Sequence, residues 1–208
     1  MEKEPNNFKK PTLTPLLVVI SGPSGIGKDA VVKALKQRDE SIHFVITMTT
    51  RPPRADEVDG VDYFFVSIEE FERLVSQGEL LEHAWVYSDY KGIPKAQVRQ
   101  ALESGKDVVM RLDVQGASTV RSLCKDAVLI FLTANDRKEW LKRLEARRSE
   151  SAEDLALRIE TAQKEFDCLE DFDYIVINAE GELDKTVDVI QTIIKAEHHR
   201  VNPRKVTL

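Results

Sequence analysis

Four short runs of apolar residues punctuate an otherwise mixed chain: Pro15-Leu-Leu-Val-Val-Ile20, Val108-Val-Met-Arg-Leu112, Val128-Leu-Ile-Phe-Leu132 and Tyr174-Ile-Val-Ile177. None alternates apolar with polar positions, as a strand with one wet face would. A short, nearly continuous apolar run instead predicts a strand buried on both faces of a parallel sheet. Between the runs the period changes. Val31, Val32 and Leu35 make a helical stripe over Asp29 to Arg38, and further helices are predicted near 117–124, 136–147 and 181–197. Strand and helix in alternation imply right-handed βαβ units and a doubly wound α/β sheet.

Residues 43–92 break this rhythm. Short β-rich pieces (His43–Met48, Tyr63–Val66 and Leu80–Tyr87) surround a helix predicted over 68–77, so the stretch reads as an insert with its own small mixed sheet. A second insert, roughly 136–165, is helical and heavily basic. The polar start, with Pro5 and Pro11, reads as a flexible leader, and the polar end after Glu197 as a disordered tail. The expected organisation is therefore a leader over 1–14, a core from 15–42, 104–135 and 166–197, inserts over 43–103 and 136–165, and a tail over 198–208.

Composition narrows function more than fold. Thirty Lys and Arg against 36 Asp and Glu give a formal charge of −6, which lacks the basic surplus of a general nucleic-acid binder. No apolar run reaches the roughly 18 residues of a membrane span. Cys124 and Cys168 fall in no CxxC or Cys/His pattern, so they read as reduced thiols rather than a disulfide or zinc site. The start, Met1-Glu-Lys-Glu-Pro-Asn-Asn, has neither an apolar signal core nor an Arg/Ser-rich amphipathic pattern. A soluble intracellular protein is expected, with no nucleic acid and no membrane as partner.

The chemistry begins directly after the first apolar run. Gly22-Pro-Ser-Gly-Ile-Gly27-Lys28 fits G-x-x-x-x-G-K between a buried strand and a helix, the context which that phosphate-binding motif requires. Glycines let backbone N–H groups converge on an anion, and the helix N-terminus adds partial positive charge. Lys28 would reach the β- and γ-phosphates. The next position usually carries Ser or Thr, whose hydroxyl touches magnesium. Here Asp29 and Ala30 follow, and neither offers a hydroxyl. Asp29 reads two ways: as a hard oxygen partner for magnesium, usually through water, or as an N-terminal helix charge with no metal role.

Thr49-Thr-Arg51-Pro-Pro-Arg54, followed by Glu57-Val-Asp-Gly60-Val-Asp-Tyr63, puts two arginines three residues apart on a proline-stiffened segment. That is a basic fork suited to a phosphate oxyanion. Together with the loop, Glu82 and Asp113, these residues resemble the guanylate kinase family. The resemblance runs from about Pro15 to Glu197 and includes Gly-Val-Asp-Tyr-Phe-Phe65, Gln-Gly-Glu-Leu-Leu-Glu82, Asp113-Val-Gln-Gly116, Lys142-Arg-Leu-Glu-Ala-Arg147 and Val176-Ile-Asn178. It implies a P-loop kinase: a doubly wound, five-stranded parallel core sheet, a small mixed-sheet GMP-binding insert and a helical lid.

By that resemblance ATP would bind along Gly22, Pro23, Ser24, Gly25, Ile26, Gly27, Lys28, Asp29 and Ala30, with Asn178 on the adenine side or serving as a turn or helix cap. GMP would meet Thr47, Arg51, Arg54, Glu57, Tyr63, Glu82, Lys91 and Asp113. The chemistry of guanine supports the carboxylates, because its N1–H and N2–H₂ donors want acceptors. Lys28, Arg51 and the lid arginines Arg143, Arg147 and Arg158 would act on the transferring phosphoryl. Arg143 and Arg147 are four apart and share a helix face.

Besides Asp29, three positions depart from the family pattern. Where Tyr-Tyr-Gly-Thr/Ser is usual, the chain has Tyr90-Lys-Gly-Ile93, so Lys91 replaces a phosphate-binding tyrosine and Ile93 a hydroxyl that meets the base. Arg111 stands where an acidic residue is common. Asp-Ala after the loop lysine and Tyr-Lys-Gly-Ile resemble the plant organellar members, which would place the protein in the chloroplast or mitochondrion. The expected reaction is transfer of the γ-phosphoryl of ATP to GMP with Mg²⁺, by a monomer or weak dimer. A non-catalytic guanylate-kinase-like module that binds phosphorylated peptides is the alternative of another class. The intact loop and Lys28 weigh against it.

Overall fold

The computed structural model describes residues 13–54, 57–86, 89–145 and 152–208, with backbone only for 86, 145 and 152–158. In chain order the elements are β1 (Leu17–Ser21), α1 (Lys28–Arg38), β2 (His43–Phe44), β3 (Thr47–Thr49), β4 (Tyr63–Phe65), α2 (Ile68–Ser76), β5 (Leu80–Val86) and β6 (Asp89–Pro94). There follow α3 (Lys95–Glu103), β7 (Val108–Arg111), α4 (Val114–Leu123), β8 (Val128–Thr133), α5 (Arg137–Glu145), α6 (Ala152–Asp167), β9 (Tyr174–Ile177) and α7 (Leu183–His198).

The core is a five-stranded parallel sheet in the order β2-β7-β1-β8-β9. β1 lies between β7 and β8, and Leu17 through Ile20 are wholly buried. Its side chains divide between two layers. Val18 and Ile20 pack with Val31 and Leu35 of α1 and Val187 and Ile190 of α7. Leu17 and Val19 pack with Val98 and Ala101 of α3 and Ala117 and Val120 of α4. Burying each such aliphatic side chain is worth about 1.5–3 kcal/mol, so β1 is an anchored base for whatever follows its carboxyl end. That end is where a doubly wound sheet changes direction and takes ligands.

A second sheet, β4-β3-β6-β5, is mixed: β3 and β4 are parallel, whereas β6 runs antiparallel to β3 and β5. The apolar piece at His43–Met48 turns out to serve both sheets. β2 pairs with β7 in the core, and β3 pairs with β4 and β6 in the insert. Val98 and Ala101 of α3, like Leu81 of β5 and Ile93 of β6, are buried in the core layer that includes Leu17 and Val19. β6 escapes the hydrophobic pattern because its Asp89-Tyr-Lys-Gly-Ile-Pro94 sequence is mostly polar or small.

Two further expectations need correction. β9 is not buried on both faces: among the described residues it pairs only with β8, and Ile175 and Ile177 are more than half exposed at this edge (57% and 53%). An apolar run alone does not reveal an edge. Nor is 198–208 a disordered tail. Arg204 grips the buried Glu197 carboxylate at 2.7 and 3.0 Å, Thr14 donates to the Arg204 carbonyl at 3.1 Å, and Val206 and Leu208 pack on the core. Burial pushes the Glu197 carboxyl up, but its bonds from Arg204 and Tyr174 win and hold it at about 2. The polar composition of the segment conceals this ion pair.

Candidate active site

The loop from β1 to α1 is held by its carbonyls. Trp140 of α5 donates its indole N–H to the Ser24 carbonyl at 2.8 Å, and Asn178 donates its amide to the Ile26 carbonyl at 2.8 Å. Arg143 donates to the same Ile26 carbonyl at 3.3 Å and to that of Asn178 at 2.7 Å, and it also pairs with Glu139. With the carbonyls fixed outward, the amides are left for a ligand: among the described residues those of Gly25 and Gly27 have no protein acceptor. Gly27 precedes α1 at φ +94°, and a Cβ there would lie 2.6 Å from the Asn178 amide nitrogen. Only glycine keeps both the turn and the brace.

Lys28 folds back over this loop and donates to the carbonyls of Gly22 and Pro23 at 2.5 and 3.2 Å. Burial lowers the pKa of its ammonium, opposed by the negative charges of Glu165, Asp113 and Asp29. Glu165, on α6, was invisible to motif reasoning. Burial raises its carboxyl, with Lys28 pulling down, Asp113 pushing up and the Ser24 amide pulling down. One of its oxygens is buried without a hydrogen-bond partner among the described residues. The loop can therefore receive an anion at its amides and neutralise it with Lys28.

Asp29 and Ala30 lie exposed in the first turn of α1. One Asp29 oxygen is contacted by Arg111, at the end of β7, although the Asp29 side chain stays 69% exposed. Arg111 also donates to the Tyr63 hydroxyl at 2.8 Å. Tyr63 begins β4, and its ring carries a second guanidinium, that of Arg51, 4.9 Å from the centroid. Arg51 is bidentate on Glu57, at 2.7 and 2.5 Å, and the Arg54 amide donates to Glu57 at 2.9 Å. The Arg51 bonds foremost hold the Glu57 carboxyl at about 2. Arg54 is itself exposed.

The residues where the insert sheet meets α4 differ in character. Glu82 on β5 and Thr47 on β3 are buried, at 6% and 8% exposure. Glu82 lies against the first turn of α4, where a Cβ on Gly116 would come within 3.1 Å of its carboxyl oxygen. Burial, and then the charge of Asp113, raise the Glu82 carboxyl to about 8. It is therefore protonated near neutral pH in the ligand-free protein. Asp113 caps α4 by accepting from the Gly116 amide at 2.8 Å, so its carboxylate already has one structural duty. Lys91 sits on β6 opposite Thr49, whereas Ile93 is fully buried in the core and offers its pocket nothing polar.

The predicted residues thus gather at the carboxyl end of β1 and along the insert, with two differences. Asn178 is buried beneath the loop with its amide on Ile26 and its carbonyl accepting from Thr186 at 3.1 Å. That is a brace, and both polar ends of the side chain are spent. Arg143 likewise clamps the loop from α5 rather than standing free. Arg147 lies outside the described residues, and only the backbone of Arg158 is described, within α6.

Comparison with known proteins agrees with this arrangement. The family model described as guanylate kinase matches residues 14–197. Guanylate kinase 2, chloroplastic/mitochondrial, of Oryza sativa subsp. japonica is 45% identical over 199 residues, covering 95% of this chain and 70% of the relative. The guanylate kinase of Latilactobacillus sakei subsp. sakei is 42% identical over 192 residues, covering 92% and 93%. Among solved structures, the guanylate kinase from Anaplasma phagocytophilum superposes with a TM-score of 0.74 at 29% identity, over 91% of this chain and 89% of that one. A loop braced for an anion, a mixed-sheet insert carrying paired arginines and a match over nearly the whole chain converge: this protein belongs to the guanylate kinase family.

Proposed function

We propose that the protein transfers the γ-phosphoryl of ATP to GMP, giving ADP and GDP, through the residues just described. The observation that carries this reading is the pairing of an intact anion loop with a buried carboxyl, Glu82, in the facing insert. Neither a phosphopeptide-binding module nor a nucleotide hydrolase needs both.

In this reading the loop amides and Lys28 bind the ATP phosphates, and Arg51, Arg54 and Tyr63 take the GMP phosphate. The attacking phosphate has a second pKa near ~6. It is largely a dianion at neutral pH, so no general base is needed. Catalysis is in-line positioning and charge neutralisation. Glu82, with Thr47 and Asp113, reads the guanine edge and loses its own proton as it accepts from N1–H and N2–H₂. Closing of the helical insert over the phosphates, with Arg147 and Arg158 on it, excludes water and so limits ATP hydrolysis.

Magnesium is the expected companion of ATP. Among the described residues no group of three or more His, Cys, Asp or Glu could hold a metal by itself. The largely exposed Asp29 fits a cation that brings phosphates and waters as most of its shell. Bound there, magnesium would withdraw charge from the β- and γ-phosphate oxygens.

The similarity to the rice enzyme supports an organellar setting, and a monomer or weak dimer is the expected assembly. A fluorescent fusion and sedimentation test those two points. Coupled ADP release with GMP, AMP, UMP and CMP tests the reaction itself. GMP alone should be turned over efficiently, and equal rates with AMP would overturn the role given to Glu82.

A further inference from the structure

Two of the departures from the family pattern meet in the fold. Asp29 stands where a hydroxyl is usual and Arg111 where an acid is usual, and the two are hydrogen-bonded to each other across 82 positions of sequence. Asp29 answers the positive charge that Arg111 puts on β7. The pair places a guanidinium between α1 and Tyr63. On one side Arg111 touches the first turn of α1, directly after Lys28, and on the other it donates to the Tyr63 hydroxyl at 2.8 Å.

Its situation matches that of Arg51. Both guanidiniums lie against the Tyr63 ring, at 4.9 Å for Arg51 and 5.4 Å for Arg111. Each is neutralised in the ligand-free protein by one carboxylate, Glu57 for Arg51 and Asp29 for Arg111. An anion that reaches the Tyr63 hydroxyl therefore meets two cations, not one. Arg111 also acts on the Lys28 ammonium, so it lies within the field of the donor loop. Its carboxylate partner is 69% exposed, which leaves that ion pair screened by water and exchangeable. A phosphate dianion offers a guanidinium the same planar, bidentate contact with more charge.

We propose that Arg111 is an acceptor-phosphate residue of this protein. It takes the GMP phosphate together with Tyr63 from the side facing the loop, and Asp29 holds its charge until the phosphate arrives. This assignment rests on the reading of the site as a GMP-phosphorylating one. It also explains how the protein tolerates lysine at position 91, since the cation at 111 supplies phosphate contacts from another strand.

The test is GMP binding to nucleotide-free protein by calorimetry over a range of KCl concentrations, with steady-state KM for ATP and GMP measured beside it. Arg111→Gln should weaken GMP by about 10- to 100-fold, the worth of a charge-assisted bond. It should flatten the salt dependence and leave the KM for ATP within about twofold. Arg111→Lys should recover part of the loss. Asp29→Asn should act in the opposite direction, tightening GMP at low salt by releasing the guanidinium. Loss of GMP affinity in Asp29→Asn, equal losses for ATP and GMP in Arg111→Gln, or GMP affinity unchanged in Arg111→Gln would each overturn the assignment. If Arg111→Gln does not fold, Arg111→Lys and Asp29→Asn decide it by their opposite signs. Wild-type protein that fails to phosphorylate GMP would instead remove the functional reading itself.

Discussion

At the carboxyl end of β1 the groups offered to an incoming phosphate are backbone amides and Lys28, and the loop carbonyls around them are tied down. The carbonyls of Ser24 and Ile26 are held by Trp140, Asn178 and Arg143, so the loop is shaped before any ligand binds. Around Tyr63 and Glu82 the facing groups are side chains, and each is kept in a compensated form. Arg51 is on Glu57, Arg111 is on Asp29, and the Glu82 carboxyl carries a proton. The difference follows from what each end must do. A polyphosphate is bound well by fixed dipoles, which cost no reorganisation. Side-chain charges that are partly buried are kept compensated, because a buried charge left unpaired would destabilise the protein.

The comparison breaks most visibly if the preformed end is disarmed. Lys28→Ala should lower kcat by about 10²–10³, the usual cost of removing a transition-state contact, while far-UV circular dichroism stays unchanged. Activity within a few-fold of wild type would sink the role given to Lys28. At the compensated end, Glu82→Gln should lower kcat/KM for GMP about 10- to 1000-fold, since a charge-assisted acceptor is replaced by an amide. AMP turnover should hold or rise, because the amide can donate to adenine N1. A parallel fall for both substrates would make Glu82 structural.

The same variant has a second signature. With the Glu82 carboxyl raised from 4.5 to about 8, the folded protein binds a proton that the unfolded chain has released between those values. The stability it contributes is full below about 4.5 and is lost as pH rises through about 8. The melting temperature of ligand-free wild type should therefore fall from pH ~6 to ~8 relative to Glu82→Gln. Parallel curves for the two proteins would place the Glu82 carboxyl near its ordinary value.

A smaller effect is expected at Lys91, which is half-buried on β6. Lys91→Ala should raise the KM for GMP a few-fold, more at low ionic strength, and spare that for ATP. Equal shifts for both nucleotides would mark Lys91 as a fold residue.

Much of this was legible in the residue pattern because it rests on local rules. Buried parallel strands declare themselves as apolar runs, and the loop motif carries its own geometry. Those signals located β1, β7, β8 and the Gly22–Lys28 turn. What stayed hidden depended on contacts between distant segments. No periodicity shows that Asn178 and Arg143 serve the loop as braces, that Glu165 reaches it from α6, or that Arg204 pins the chain end to Glu197. Glu82 read as a base-facing carboxylate, but its raised pKa follows from burial and then from the charge of Asp113, which only the fold supplies. Ile93 shows the reverse case. A position read as part of the base pocket directs its side chain into the core, where burial outweighs any polar duty.

The claim that the Glu82 carboxyl is held protonated and is ionised when the substrate binds has one direct measure. GMP is titrated into nucleotide-free protein at about pH 7.5, in two buffers of different ionisation enthalpy, with wild type and Glu82→Gln compared. GMP is then already mostly a dianion, whereas Glu82, at about 8, is mostly protonated. Wild type should release roughly half a proton or more on binding, and Glu82→Gln markedly less while still binding GMP. Equal proton release in the two proteins would contradict the account.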